Sequence, residues 1–577
     1  MAKRPPKKLS YTNVAGALED LASERADWEA EWRDISDYLI PGRGIFQTFT
    51  KPKKRKLTSP KVVNAAAEDA LGVLVSEIYG RLTSPSKPWY KLEWANKAFE
   101  DIIPLRAWMQ SANQIMNDAL HRTNFYETIV SFYEEYIGFG TASMYVGEDT
   151  GTDELPFWFY TFTAGEYYFS LGRNGKPDQY IRTIFLTEKQ LYDRFGADKV
   201  SSDVRQRVES NRGGINTPKR LVVEYLIDIP YDNLRPWTRV SYELTGNQAK
   251  NVKEPSDRQP LEYTGFYEFP YPTARYSTIG SDVYGLGPGS RTLPDNKRLQ
   301  ELEKTFLMAV HKSADPPVQA PGRMKGKLNT LPGAYNYYPT PNEMVKELYQ
   351  VRINFEGLGA AIDRVEQRIK KGFHNDIFLT SNRDPNATPY KATEAAIRDQ
   401  EKLLRLGPMV EKLQYEFLLP LVNRCFQILL RKDQFPPLPP EYAELVAEYT
   451  IDVISPLATA QRGAALQGIN SFLAFVGQAA QFTPEAMDNV DIDRTVETYA
   501  DITGVDATIL NDRETKRKIR LDRAKQIAAK QQQENQIGMA QLQAELDLKK
   551  AQTAKLMSEA NESSMSSQET AQQIGLS

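Results

Sequence analysis

Tyr284-Gly-Leu-Gly-Pro-Gly-Ser-Arg-Thr-Leu-Pro294 opens the stretch whose reading decides the fold, and Gly372-Phe-His-Asn-Asp376 closes it. Thr292 is placed as an N-cap, with Pro294 tolerated in the first turn. Leu299, Leu302, Phe306 and Val310 follow at spacings of three, four and four, one apolar stripe on a helix that runs to Ser313. Asp315-Pro-Pro317 ends that helix, and the Pro- and Gly-rich run from Ala314 to Asn342 suits short strands and turns. A second helix, from Phe355 to His374, gathers Leu358, Ala361, Ile362, Val365 and Ile369 on one face. On a helical projection Arg364 and Lys371 point roughly opposite that stripe, with Arg368 flanking them. Two helices joined by an irregular excursion, the second with a basic face, make a strut and loop. Nothing in the stretch reads as a catalytic pocket.

Upstream, the chain is helical to about Met144 and β-rich from Ala142 to about Pro270. Asn13 is placed to cap a helix carrying Val14, Leu18, Leu21, Trp28 and Trp32, stopped near Pro41-Gly42. Helices are expected from Ser59 to Leu82, with Ala70, Val73, Leu74 and Ile78 on one side, then from Leu105 to Arg122 and around Phe125 to Ile137. The basic run Lys51-Pro-Lys-Lys-Arg-Lys56 reads as a solvated loop rather than a phosphate contact. Alternating aromatic and β-branched residues predict strands at 156–162, 179–185, 220–226 and 239–244, with a helix at Glu188 to Phe195. The aromatics read as sheet filling, not as a base-stacking platform.

Downstream, Ser381-Asn-Arg-Asp-Pro-Asn-Ala-Thr-Pro389 is a polar loop, and a long helical pattern runs from Lys391 to Arg431. Pro408 and Pro420 fall inside it, where each removes a backbone donor, so a bend or break is expected at both. After Pro436-Pro-Leu-Pro-Pro440 comes a smaller helical region to about Gly504. The tail from Ala507 is proline-free and rich in Gln, Ala, Lys and Glu. Ile537, Ala540, Ala544, Leu548 and Ala551 line one side of its helical projection; Met539, Leu542, Leu546 and Met557 line nearly the opposite side. Two opposed stripes call for a neighbour on each side, which identical helices in a ring supply. An intramolecular coiled coil and a tail partly disordered in isolation are the alternatives.

A chain of 577 residues with 41% hydrophobic content can build two to four cored domains. Its net charge of −3 leaves any nucleic-acid affinity to local patches. The single cysteine, Cys425, lies in an apolar run and reads as a core residue in a reducing compartment. The N-terminus lacks the apolar region of a secretory signal and no window suits a membrane span, which predicts a soluble, intracellularly made protein.

Catalytic chemistry is not legible. His121, His311 and His374 are far apart, and no Cys/His spacing suggests zinc. There is no phosphate-binding G-x-x-x-x-G-K-[ST], and Pro288 removes one amide that a cradle at Gly285-Leu-Gly-Pro-Gly289 would use, so a turn is expected there. Asp491 and Asp493 form one D-x-D among 75 acidic residues, better read as a solvated helix start than as a metal pair.

Several signatures in order resemble the portal, or head-to-tail connector, proteins of short-tailed bacteriophages. They are Gly80-Arg-Leu-Thr-Ser-Pro-Ser-Lys-Pro-Trp-Tyr90, Asn124-Phe-Tyr126 with Gly138-Phe-Gly-Thr-Ala142, and Tyr284-Gly-Leu-Gly-Pro288 with Asp295, Leu299 and Ala314-Asp-Pro-Pro317. Gly372-Phe-His-Asn-Asp-Ile-Phe-Leu379, Ala392-Thr-Glu-Ala395, Leu406-Gly-Pro408 and Leu419-Pro-Leu-Val422 complete the series. The family usually has Met-Thr just before the Ala-Thr-Glu element, where this chain has Tyr390-Lys391. The tail beyond Val505 follows no shared motif.

The resemblance implies a predominantly helical α+β portal-type fold with an antiparallel β wing. It divides the chain into a helical and β wing region (1–290), a first stem helix (291–313), a clip (314–354) and a second stem helix (355–374). A tunnel loop (375–391), a long kinked helix and wing (392–437), a crown (438–504) and a C-terminal helical barrel (505–577) follow. It implies a ring of about twelve subunits around double-stranded DNA, placed at one capsid vertex of a virion and assembled in the host cytoplasm. Its partners would be the major capsid protein, a scaffolding protein, the terminase motor and tail adaptors, with no membrane, metal, cofactor or catalytic residue. Arg364, Arg368, Lys371 and Lys391 become candidate channel contacts, and Ser381, Asn382, Arg383 and Asp384 the candidate tunnel loop. A nuclease using Asp491 and Asp493, or a scaffolding or tail-adaptor protein acting through the helical tail, are the competing readings.

Overall fold

A computed structural model describes residues 9–46, 59–97, 99, 102–149, 155–210, 219–244, 259–314, 318–319, 329, 335, 337, 346–347, 354–378, 406–438, 440–442, 449–454, 468–480, 490–503 and 513–574. The chain divides into two compact units, one of 1–96 with 104–475, the other of 97–103 with 476–577. As expected, the fold is predominantly helical with antiparallel sheets.

In the first unit, helices α1 (Tyr11–Tyr38), α2 (Ala66–Leu82), α3 (Ile103–Arg122) and α4 (Phe125–Phe139) precede the β region. Strand β1 (Lys91–Trp94) pairs with β12 (Tyr449–Asp452), which lies far along the chain. A three-stranded sheet has the order β3-β2-β9, with β2 at Thr141–Glu148, β3 at Phe157–Phe162 and β9 at Thr273–Arg275. A five-stranded sheet runs in sequence order through β4 (Tyr167–Leu171), β5 (Pro177–Leu186), β6 (Arg220–Ile227), β7 (Trp237–Leu244) and β8 (Glu262–Phe266).

Strand alternation gives the five-stranded sheet two dry faces. Ile181, Leu221, Val223, Tyr225 and Val240 meet Leu9, Val14, Leu18 and Leu21 at the start of α1. Val222 and Leu261 meet Leu191, Phe195 and Val204 from α5 (Glu188–Phe195) and α6 (Ser202–Glu209). Helix α5 falls where its sequence places it because Thr187 and Gln190 form a reciprocal capping box, with N···O distances of 3.0 and 3.3 Å.

Helix starts differ from expectation at three places. Asn13 is not the N-cap of α1. Leu9 is fully buried against the sheet, so the chain turns into the helix at once and Ser10 takes the cap position. α2 starts at Ala66 rather than Ser59, because 59–62 form a turn and the Asn64 side chain accepts the Ala66 amide at 2.8 Å. Thr292 lies inside α7 (Pro288–Ala314), where its hydroxyl donates to the Pro288 carbonyl at 2.8 Å. Pro288, with its fixed φ and missing donor, starts the helix instead.

The two prolines of the later helical pattern are absorbed rather than destructive. Pro408 stands in the first turn of a helix at Gly407–Leu413, where no amide partner is lost. A π turn at Gln414–Leu418 widens the backbone immediately before Leu419–Arg431, which accommodates Pro420. Cys425 lies wholly inside that last helix's core face, and burial pushes its thiol up, so it is inert packing.

One junction ties sheet to helix. Gly140 ends α4 in the left-handed region (φ +80°) and passes straight into β2. A Cβ added there would stand 2.3 Å from the Gly285 carbonyl oxygen, and one on Gly289 would stand 2.1 Å from that of Gly138. The approach is sealed by hydrogen bonds from Tyr276 N–H to Gly140 O (2.8 Å) and from Gly285 N–H to Thr141 Oγ1 (2.8 Å). Gly140→Ala is therefore expected to lose about 2–4 kcal/mol of unfolding free energy from backbone strain and overpacking together. Gly16→Ala, mid-helix in α1 with nothing within 4 Å, is expected to gain up to about 1 kcal/mol. Urea unfolding of the unassembled subunit checks both.

Candidate ring-channel elements

α7 and α8 (Phe355–Gly372) lie antiparallel, as three contacts along their length require. Gly372 faces Thr292 so closely that a Cβ would stand 2.4 Å from its methyl group; Arg368 pairs with Asp295; the rings of Phe306 and Phe355 lie 6.0 Å apart. α8 is capped by Asn354, whose side chain accepts the Gly357 amide at 2.9 Å. Ile362, Val365 and Ile369 are its buried seam, the stripe that its sequence spacing predicts.

A polar clasp anchors the pair to the rest of the unit. Gln300 Oε1 accepts the amides of Val63 (2.7 Å) and Asn64 (2.8 Å), and its Nε2 donates to Asn64 O (2.8 Å) and Asn296 Oδ1 (2.9 Å). Asn64 Nδ2 in turn donates to Glu303 (2.8 Å) on α7 and Glu366 (2.9 Å) on α8. Asn296 reaches the Tyr38 carbonyl at the end of α1 (2.9 Å). Gln300 and Asn296 are buried, and each polar group finds a partner, as burial demands. Asn296, Gln300 and Asn64 were not legible as functional, since only their three-dimensional neighbours distinguish them from surface amides.

The candidate contact residues divide. Arg364, Arg368 and Lys371 are all exposed on α8. Arg368 is already engaged, its guanidinium forked onto both oxygens of Asp295. Lys370, beside it, pairs with Glu366 at 3.6 Å. Arg364 and Lys371 have no ion-pair partner among the described residues and are the cations that the helix presents outward. Lys391 and the loop residues Ser381, Asn382, Arg383 and Asp384 lie outside the described residues. So does most of 314–354, apart from a two-stranded pairing of β10 (Val318–Gln319) with β11 (Lys346–Glu347).

Along α7 the apolar stripe is progressively uncovered. Leu299 is fully buried, while Leu307, Met308 and Val310 are 40–48% exposed. In the second unit a single helix spans Arg513–Ile574, 62 residues and roughly 93 Å at the α-helical rise. Both of its opposed stripes are bare: Ile537, Met539, Leu542, Leu546, Leu548 and Met557 are all more than half exposed.

Asp491 and Asp493 each have a structural partner. Asp491 caps the helix Ile492–Thr503 by accepting the Arg494 amide at 3.1 Å. Asp493 pairs with Arg520 at 2.5 Å, whose hydrogen bond holds the carboxyl below its usual range. Among the described residues no group of three or more His, Cys, Asp or Glu is placed to hold a metal ion, and no helix is long and apolar enough to cross a membrane.

Two pairs of the dispersed sequence signatures meet, 80–90 with 124–126 and 138–142 with 284–289. Trp89 stacks on Phe125 (5.7 Å), and Asn124 hydrogen-bonds both backbone groups of Phe159 (2.8 and 2.9 Å). Gly138–Gly140 meets Gly285–Gly289. The family model of the bacteriophage head to tail connecting protein matches residues 12–510, and this chain belongs to that family. It is 30% identical over 543 residues to the probable portal protein of Bordetella phage BPP-1, covering 92% of this chain and 94% of that protein. It is 30% identical over 547 residues to the portal protein of Salmonella phage epsilon15, covering 93% and 95%. Among solved structures, a chain from the virion of a native gene transfer agent particle aligns over 69% of this chain and 94% of its own. At 11% identity and a TM-score of 0.29 that likeness carries no weight.

Gln300→Ala leaves the Val63 and Asn64 amides without their acceptor and is expected to cost about 2–4 kcal/mol in urea unfolding. Asp295→Ala removes only an exposed pair and is expected to cost under about 1 kcal/mol.

Proposed function

We propose that this protein is the portal subunit of a phage capsid, a ring of about twelve copies at one vertex through which double-stranded DNA is packaged and ejected. The observation that carries this reading is the α7–α8 pair, rigidly clasped at its base, with Arg364 and Lys371 facing outward from one helix and an uncovered apolar end on the other. In this reading 291–313 and 355–374 are the stem, 314–354 the clip that docks packaging motor and tail adaptors, and 375–391 the tunnel loop. The α/β region is the wing, bearing on the capsid protein and scaffold; 438–504 is the crown and 505–577 the barrel.

The uncovered ends of α7 and both stripes of the Arg513–Ile574 helix are surfaces that a copy of the same chain on each side would bury. Arg364 and Lys371 fit a conduit because phosphate contacts are sequence-blind and do not stop sliding, whereas base-specific hydrogen bonds would. Arg368, held by Asp295, contributes positive charge already half neutralised, so its share of DNA contact is the smallest of the three.

Negative-stain microscopy of the purified protein is expected to show radially symmetric rings with a central hole; a stable monomer under assembly conditions would overturn the portal reading. The double variant Arg364→Glu, Lys371→Glu is expected to form rings normally but to hold DNA more weakly, with a shallower dependence on salt. Loss of rings in that variant would assign the two cations to the neighbouring subunit instead. Deletion of the tail after Gly504 is expected to leave ring formation possible while removing the head-side barrel; complete loss of rings would place the main subunit interface in the tail.

A further inference from the structure

A cavity of about 510 Å³ opens between the five-stranded sheet, the C-terminal end of α5 and the β2–β3 hairpin, within the size range of small-molecule sites. Its floor is charged. Arg182 of β5 and Arg239 of β7 line it beside Glu224 of β6, whose carboxylate is buried. Its mouth carries Arg194 and Lys199, both exposed, and Glu262 of β8. Four cations thus face two carboxylates, an excess of two positive charges.

The carboxylates are already committed. Glu224 pairs with Arg194 at 2.6 Å and stands 3.7 Å from Arg182; Glu262 pairs with Arg239 at 3.1 Å. Burial pushes the Glu224 carboxyl up, and Arg239, Arg182 and Arg194 together outweigh it and hold it ionised below its usual range. Glu166 acts on Arg182 electrostatically but does not line the cavity. What remains is donor capacity. The guanidinium groups of Arg182 and Arg239, which line the cavity, carry more N–H donors than these two carboxylates engage. The wall adds an aromatic surface: Trp158 is 43% exposed, with Tyr145 braced against it in a tilted-edge contact at 5.2 Å.

We propose that this cleft binds the phosphoryl group of a small molecule, held by the guanidinium groups of Arg182 and Arg239 that line it and drawn in by Arg194 and Lys199. Guanidinium forks match phosphate oxygens in geometry as well as charge. The shared chemistry has two sources, inorganic phosphate and a nucleoside monophosphate whose base would stack on Trp158. The site stands on β-sheet and α5 residues and does not depend on ring formation or on DNA in a channel.

The test is calorimetric titration and thermal melting of the full-length protein with sodium phosphate and with adenosine monophosphate, against sodium chloride at matched ionic strength. Phosphate is expected to raise the melting temperature where chloride does not. Lys199→Glu, at an exposed rim position, is expected to weaken binding about tenfold or more. Arg182→Lys keeps the charge, removes the planar guanidinium fork and is expected to weaken binding with an unchanged circular dichroism spectrum; should it fail to fold, Lys199→Glu decides. Tighter binding of the nucleotide, with the advantage lost in Trp158→Ala, assigns the base to the aromatic wall. Equal affinities assign the site to phosphate alone. A wild-type protein that responds identically to phosphate and chloride, or a phosphate response unchanged in Lys199→Glu, overturns the proposal.

Discussion

Two stretches of backbone in this protein approach each other more closely than any side chain would permit, and the rest of the first unit is arranged around that contact. At the end of α4 the backbone of 138–140 lies against Gly285, Gly287 and Gly289, and a Cβ on Gly140, Gly285, Gly287 or Gly289 would stand only 2.1–2.6 Å from a facing backbone oxygen or nitrogen. The junction sets where α4 becomes β2 and where α7 begins, so it fixes the launch of the strut helix relative to both sheets. A glycine there does not loosen the chain. It allows backbone amides and carbonyls to meet directly, and hydrogen bonds from Tyr276 and Gly285 hold the approach closed.

From that fixed start, polar groups act with the apolar seam of α8 to complete the placement of the helix pair. Gln300 and Asn64 satisfy one another, Asn64 also joins Glu303 of α7 to Glu366 of α8, and a buried amide network of this kind tolerates few alternative packings. The charges on the outer face of α8 then sort themselves by partner. Asp295 takes Arg368 and Glu366 takes Lys370, which leaves Arg364 and Lys371 as the outward pair. A helix held rigidly at its base and left with outward cations can serve a passing polyanion without gripping it. The same rigidity would let the far end of α7, whose apolar side chains are bare, be completed by a neighbour.

Much of this was legible in sequence because periodicity reports burial. The seam Ile362, Val365 and Ile369, the capping box at Thr187, the strands at 179–185, 220–226 and 239–244, and the two opposed stripes of the tail all follow from spacing alone. Helix starts were less legible: α1 begins where Leu9 is buried against a distant sheet, while α2 and α7 begin at Ala66 and Pro288, away from the residues whose cap signals stood out. The pairing of β1 with β12, separated by most of the chain, carries no local signal. In the candidate site, the basic face of α8 was visible, but the engagement of Arg368 by Asp295 was not. That ion pair joins residues 73 positions apart. The order of the family signatures was apparent in the sequence; that Trp89 meets Phe125 and the glycines of 138–140 meet those of 285–289 is a property of the folded chain.

The central claim is that α8 turns its Arg364–Lys371 face toward the axis of a closed ring. A single-particle reconstruction of the full-length assembled protein tests it most directly. The account predicts a closed ring with that face lining the bore and the exposed end of α7 covered by the adjacent subunit. A ring in which Arg364 and Lys371 lie on the outer wall, or are buried in carboxylates of the next subunit, would contradict it.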